Sequence, residues 1–576
     1  MKHILLAILI TCLTSFSPII RAQNIDQNKL DSLFSAKGEV YFKFSIQNRE
    51  DIHSLTRIIS IDNVKDHTVF AYANRKEFSE FLHLNLAYTI LQHPGSLLSE
   101  AEINPYGETA GKNNLTTWDF YPSYQQYLDY MAGFVAAHPD ICKIDTIGIT
   151  GMGRLILALK ISKNVGTEEA EPQFLYTSSI HGDETTGYGL MLHLIDYLLS
   201  NYGTNPDITD LINTTEIVIN PLSNPDGTYH GGNSSVNGAV RYNASGVDLN
   251  RNFPDPKVGQ HPDGNAWQVE TVAWMAYAGN NHFTMSANFH GGAEVFNYPW
   301  DTWIKLNADD DWWRFVGREW ADTVHEYGPV GYFEFMDNGV TNGYAWYEVN
   351  GGRQDYMNYW HHCREVTVEI SNIKLLPASQ LLAFWDYNYR SFLNYIKESR
   401  YGFNGFVTDT VTDEPIAAKV FILAHDKDNT EVYARPKTGY YARPVNEGTY
   451  DVTFSASGYF TKTITNVSVS QRIATNLNVQ LRPLTYDAQD KITHSTMVFP
   501  NPTDGRFRLI LPDSPINPSC SVQIINTLGS IVYSKEIGFA PGMSAVDIDV
   551  SNLNSGLYFL KFNSGYRIYL DKLIVK

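Results

Sequence analysis

Cysteine is scarce: 4 among 576 residues, namely Cys12, Cys142, Cys363 and Cys520, at no metal-type spacing. This excludes a disulfide scaffold and a cysteine-based metal site. Cys12 lies in the leader described next, and the other three read as buried free thiols unless the fold brings Cys142 and Cys363 together. Basic residues are also in short supply, with 43 Lys and Arg against 62 Asp and Glu and a net charge of −19. Generic phosphate binding would work against that field, so no nucleic-acid partner is expected. Long apolar runs are missing too. The run Ile4 to Leu13, preceded by Lys2 and His3 and followed by the imperfect cleavage site Ile20-Arg21-Ala22, is far shorter than the ~20 residues a spanning helix needs. Residues 1–22 therefore read as a secretory signal, and no transmembrane segment is expected in the mature chain. What is present is ordinary globular material, 43% apolar, 18% charged and 13% aromatic, long enough for roughly three to five domains.

Residues 23–114 mix strand-like runs (Glu39 to Phe44, Thr68 to Tyr72) with a helical stretch from about Lys76 to Ile90. They predict a small α+β domain, which a propeptide, a chaperone-like unit or a plain extra domain would all fit. Gly107 to Thr117 reads as a linker. From 118 to 400, apolar strand-like runs alternate with amphipathic helices, the pattern of an α/β domain with a parallel or mixed sheet. Phe174 to Ile180 reads as a strand and Glu184 to Leu199 as a helix, so His181-Gly-Asp-Glu184 falls where one becomes the other. Glu216 to Leu222, Met285 to Phe289 and Glu365 to Ile370 read as further strands. Helical periodicity ends at Tyr401, and alternation as in Tyr450-Asp-Val-Thr-Phe454 predicts small β-sandwiches at 402–484 and 495–576.

His181 and Glu184 are three residues apart at a turn, which lets an imidazole and a carboxylate meet on one ion. His290, at a strand end before Gly291-Gly292, could be the third ligand. Two imidazoles and a carboxylate leave a zinc coordination position open for water, although an H-x-x-E pair alone is a weak signal. Glu369 interrupts the apolar strand Val366-Thr-Val-Glu-Ile370. A buried carboxylate is costly without a partner or a task, which makes it the candidate general base. The segment Arg241 to Asn252 holds two arginines and several amides and reads either as an anion cradle or as a solvated polar loop.

His181-Gly-Asp-Glu184, Asn224-Pro-Asp-Gly227, Gly246 to Phe253, Ser286 to Gly292, Gly343 to Tyr347 and Glu365 to Ser371 resemble, in order and approximate spacing, the motif series of the zinc metallocarboxypeptidases. The likeness covers roughly Trp118 to Arg400 and is closest to the N/E branch, in which a transthyretin-like β-sandwich follows the catalytic domain; residues 402–484 match that place. The resemblance implies an α/β domain with a mixed eight-stranded-type sheet flanked by helices. It also implies one zinc ion on His181, Glu184 and His290, Glu369 as general base, and Arg241 at the oxyanion. Asn250 and Arg251 would grip the substrate's terminal carboxylate, and Tyr347 would close over it. Asp301 and Gln354 match the positions that receive a basic side chain. Arg353 departs from the pattern, standing where relatives commonly carry an apolar residue, and a cation turned into the pocket would oppose Lys or Arg.

The segments Val498 to Gly505, Gly556 to Leu560 and Lys572 to Lys576 resemble the C-terminal sorting domains of type IX secretion substrates, which implies handling by that secretion machinery and a secreted or cell-surface location. The reading is a secreted zinc carboxypeptidase acting on peptide or protein C-termini ending in Lys or Arg. Its rivals are a zinc amidohydrolase acting on cell-wall peptides or acyl amino acids, and a binding module that captures chain ends without cutting them.

Overall fold

The computed structural model describes residues 27–106, 117–484, 498–510, 519–538, 545–563 and 568–576. The expected signal at 1–22 lies outside them, as does nearly all of the expected linker. The chain divides into two compact units, one reaching residue 481 and the other formed by 457–460 with 482–576.

The first unit opens with four antiparallel strands, β1 (Glu39–Ser45), β2 (Ser60–Lys65), β3 (Thr68–Asn74) and β4 (Tyr88–Ile90), in the order β2-β3-β1-β4. The expected helix is shorter than its pattern, running Arg75–Leu82 from a reciprocal Asn74/Glu77 capping box. Asn85 then takes a left-handed conformation, φ 53°, and Tyr88 and Ile90, two apart, continue as an extended strand on β1. The helix packs Phe78 and Phe81 on Phe42 and Phe44. β2 was not expected at all: its pairing with β3 is interrupted by a bulge between Ile61 and Asn63.

The central portion is a mixed eight-stranded sheet. Its strands are β5 (Cys142–Ile149), β6 (Leu155–Ile161), β7 (Gln173–Ser178), β8 (Glu216–Asn220), β9 (Phe283–His290), β10 (Ala293–Tyr298), β11 (Val340–Asn342) and β12 (Arg364–Ser371). Their order is β11-β10-β12-β9-β7-β8-β6-β5. The inner strands β12, β9, β7 and β8 run parallel and are buried along their whole length. β7 and β8 accordingly read as short apolar runs, whereas β9 and β12 alternate apolar with polar residues despite their full burial. Helices Thr186–Asn201, Asp310–Tyr327 and Leu381–Glu398 close one continuous core with Phe289, Phe296, Trp320 and Tyr395. Loops leaving the carboxyl ends of parallel strands share one crevice, the usual place for a site in such sheets.

Residues 402–481 form two four-stranded sheets packed through Phe403, Val407, Val420, Val452 and Phe454. A buried ion network joins them to the central portion: Asp309 meets Arg443 at 2.9 Å, Arg364 at 3.1 Å and His425 at 2.8 Å. The second unit is likewise all β, with sheets of three and four strands around Val522, Ile524, Leu560 and Leu573. Cys142 and Cys363 are both free and buried, so the pairing left open by the sequence is not made; the Cys520 side chain lies outside the description. Among the described residues no helix is long and apolar enough to cross a membrane.

Candidate active site

His181 lies three residues beyond β7, His290 ends β9, and Glu369 sits in β12 directly opposite His290 in the parallel register. Adjacent strands thus bring together residues up to 188 positions apart in the chain (369 − 181). His181 Nδ1 is 2.9 Å from Glu184 Oε1, His290 Nδ1 is 2.8 Å from Glu184 Oε2, and the two Nδ1 atoms are 3.1 Å apart. Metal–nitrogen bonds of about 2.0–2.1 Å at tetrahedral angles place two nitrogens roughly 3.3 Å apart, so the donor set fits zinc. His181 Nε2 lies 3.0 Å from Asp248 Oδ1, an arrangement that keeps the proton on Nε2 and leaves Nδ1 as the ligating atom. Glu184 is held well below the usual carboxylate range, because the charges of His181, Lys374 and His290 outweigh the opposing effect of burial. Glycines supply clearance: a Cβ on Gly182 would strike the Gly227 backbone, and Gly292, at φ 122°, lies against Lys374.

Among the described residues, two other clusters of potential ligands are closed by protein partners. In Glu39–His93–Asp183, the Glu39 carboxylate accepts the backbone N–H groups of Arg241 and Tyr242 at 2.7 and 3.0 Å. In Asp309–His425–Asp426, Arg443 already bridges both acids.

Burial, and next the charge of Glu184, push the Glu369 carboxyl well above the usual range, and its buried Oε2 has no hydrogen-bond partner in the structure. Such a group can hold and return a proton. Arg241 is buried over Glu184 (3.2 Å) and Asp248 (3.0 Å). The Arg241 to Asn252 loop is therefore an ordered, partly self-neutralised cradle rather than a solvated loop. Asn250 Oδ1 accepts the backbone N–H of Arg353 at 2.9 Å, which leaves its NH2 as the free donor. Arg251 and Tyr347 line the same cavity as the metal set.

Asp301 is buried in that cavity wall, and its Oδ1 accepts from Asn297 Nδ2 and Gln354 Nε2, both at 3.1 Å. Burial pushes its carboxyl up to about 6. Beneath it Asp355 accepts the backbone N–H groups of Asp301 and Thr302. A Cβ on Gly343 would overlap Asp301 Oδ1, so only glycine keeps that acid accessible. Arg353 does not enter the pocket. It is buried, pairs through Nε and Nη2 with Glu365 at 3.1 and 2.8 Å, and lies over Trp274. An arginine in place of an apolar residue is accommodated because Glu365 neutralises it within the core.

Sequence reasoning missed Lys374 and Asp62. Lys374 Nζ is buried 2.6 Å from Glu184 Oε1, 2.7 Å from Gly291 O and 2.5 Å from Asp62 Oδ1. The signal for Lys374 was a lone cation in the apolar run Ile373 to Leu376, just after β12. Asp62 lies in β2 and carried no motif.

Three stretches of the chain match known families. Residues 127–391 match the family model described as Zinc carboxypeptidase, 402–482 the Carboxypeptidase regulatory-like domain and 497–576 the Secretion system C-terminal sorting domain. The last match marks a secreted or cell-surface protein. Carboxypeptidase D of Homo sapiens is 34% identical over 407 residues, covering 67% of this chain and 29% of its own length. Carboxypeptidase M of Mus musculus is 33% identical over 363 residues (59% and 79%), and the Carboxypeptidase N catalytic chain of Rattus norvegicus is 33% identical over 382 residues (60% and 82%). The chain thus spans about three tenths of the carboxypeptidase D relatives that it matches.

Proposed function

The chain belongs to the zinc carboxypeptidase family, and on that premise we propose that it removes C-terminal residues, Lys or Arg by preference, from peptides and proteins. The observation that carries the reading is the convergence of His181, Glu184 and His290 beside Glu369, in one cavity with Asn250, Arg251 and Asp301. His181, Glu184 and His290 would hold one zinc ion, and zinc bound there supplies Lewis acidity that brings the pKa of a water to about 7.

Glu369 takes a proton from the attacking water and returns it to the departing amine, a role served by its enclosed carboxyl. Arg241 directs its guanidinium at the oxygen that becomes negative as the carbonyl is attacked. Arg251 and the free amide N–H of Asn250 bind the terminal carboxylate, and Tyr347 closes over it. Asp301, steadied by Asn297 and Gln354, receives the ammonium or guanidinium of the last side chain. Residues 118–400 carry the chemistry in this scheme, and 495–576 would be read by a secretion machinery.

The test is Glu369→Gln in the full chain. Turnover of a Lys-ended peptide should vanish while zinc content stays at one equivalent, and chelation of the native chain should also stop turnover. Near-normal rates in the variant would remove Glu369 from the reaction.

A further inference from the structure

We propose that Arg353 is a positioning residue for the grip on the substrate's terminal carboxylate: anchored to Glu365, it holds the Asn250 amide with its NH2 available to the cavity. This rests on the carboxypeptidase reading above and adds to it a residue that touches no substrate. Arg353 opens the helix Arg353–His361, behind Gly352. A first-turn N–H has no partner within its own helix, and this one donates to Asn250 Oδ1 at 2.9 Å. An amide carries its acceptor on one side and its donors on the other. With the oxygen committed to Arg353, the NH2 is what Asn250 offers to the cavity it lines. Without that N–H the amide can turn over and set its carbonyl oxygen against the carboxylate, which repels it.

The anchor reaches into the central sheet. Side chains alternate along a strand, so Ser286, Asn288 and His290 share one face of β9, and Glu365, Thr367 and Glu369 one face of β12. The parallel register sets them opposite one another in pairs. All six are buried, which is costly unless such groups bond to one another. Ser286 Oγ donates to Glu365 Oε2 at 2.6 Å, and Asn288 Nδ2 donates to Glu365 Oε1 at 3.1 Å and to Thr367 Oγ1 at 3.3 Å. The last pair, His290 and Glu369, lies in the site itself. Glu365 is thus the foot of a polar ladder whose head is the proposed base, and Arg353 is tied to that foot.

A guanidinium fork fixes direction as well as distance. Nε and Nη2 of Arg353 both reach Glu365, at 3.1 and 2.8 Å, while the buried Nη1 has no hydrogen-bond partner. A buried ion pair with one donor unmatched is a poor source of stability beside apolar side chains of similar volume. What it supplies is a fixed place for the start of the helix. Other residues of the helix have tethers of their own. Gln354 Nε2 donates to Asp301 Oδ1, Asp355 accepts the Asp301 N–H, and Asn358 Nδ2 donates to the carbonyls of Gln354 and Glu365 at 2.9 and 2.8 Å. Loss of the Arg353 side chain therefore disturbs the carboxylate grip and leaves Asp301 in place.

The experiment measures kcat and KM separately, on a Lys-ended and a Leu-ended tripeptide, for the native full chain, Arg353→Leu, Asn250→Ala and the two combined. A grip on the chain end binds substrate and transition state alike, so its loss raises KM and spares kcat. Arg353→Leu should raise KM about tenfold for both peptides, the effect of one hydrogen bond to a charged group. Asn250→Ala should do the same, and the combination should be no worse than Asn250→Ala alone, because Arg353 acts through that amide. Zinc content and melting curves verify that the variants are folded.

Because Arg353→Leu strands a buried carboxylate, the double variant Arg353→Leu/Glu365→Gln is made beside it. Its neutral amide removes the stranded charge, so the melting curve should return toward that of the native chain while KM stays raised. A native KM in that folded, zinc-loaded variant, or losses that add in the Asn250 combination, would overturn the proposal and leave the carboxypeptidase reading standing. A zinc-loaded native chain inert on every peptide would overturn that reading and the proposal with it.

Discussion

Replacing Asp301 with alanine isolates the claim that the pocket selects basic chain ends. The acid is 5% exposed, so a substrate ammonium reaching it is largely desolvated. Removing one partner of such a buried, hydrogen-bonded charge pair costs about 2–5 kcal/mol. Taking about 3 kcal/mol, kcat/KM for a Lys-ended peptide should fall roughly a hundredfold. A matched Leu-ended peptide should be little affected, since it makes no use of the carboxylate. The ratio of the two values is the quantity to measure, because any effect common to both substrates multiplies both and cancels.

The same ratio should depend on pH. With its carboxyl raised to about 6 by burial, Asp301 is charged above that pH and neutral below it. Preference for Lys should therefore be full near pH 7.5 and fade on acidification through about 6. In Asp301→Asn the ratio should be low and flat across the range. An unchanged ratio in Asp301→Ala would refute the assignment and place the specificity elsewhere.

Arg353→Leu should leave Glu365 buried without its partner and lower stability by about 3–5 kcal/mol, seen as a reduced denaturation midpoint, with the Lys-to-Leu ratio unaltered; a changed ratio would mean that Arg353 reaches the pocket after all. Asp309→Asn should cost a similar 3–5 kcal/mol by weakening the network with Arg443, Arg364 and His425. Burial opposes its charge, but Arg443 and Arg364 hold the Asp309 carboxyl well below its ordinary value. Its stabilisation is thus present above the unfolded value near 4 and is lost as pH falls through the lower folded one. The gap between native and variant in urea melts should be wide at pH 7 and narrow below pH 4; a gap independent of pH would show that the ion pairs do not contribute as described.

Much of the central sheet was legible because β7 and β8 are written as apolar runs and β9 and β12 as alternations, with site residues that end or interrupt them. Glu369 stood out as an acid in a strand of β-branched and apolar neighbours, and His181 and His290 as imidazoles beside glycines. Other elements failed for identifiable reasons. The helix from Arg75 was overextended because Leu86, Tyr88 and Ile90 continue an apolar spacing that the left-handed Asn85 breaks. β2 was invisible because its bulge sets Ile61 and Val64 three apart, which destroys the alternation by which a strand is recognised. Lys374 has no ligand motif, and its partners are distant in the chain.

Side-chain type and local periodicity determined the α/β and β architecture, and the motif series, through its resemblance to a known family, pointed to the family and to the groups proposed to bind a metal, move a proton and hold a chain end, because those properties are written locally in the sequence. Tertiary structure alone decided where Arg353 points and that Asp62 and Lys374 meet beside Glu184, because both depend on distant pairings, Arg353 with Glu365 and Asp62 with Lys374. Such pairings form only when separate elements pack, and no local pattern records them.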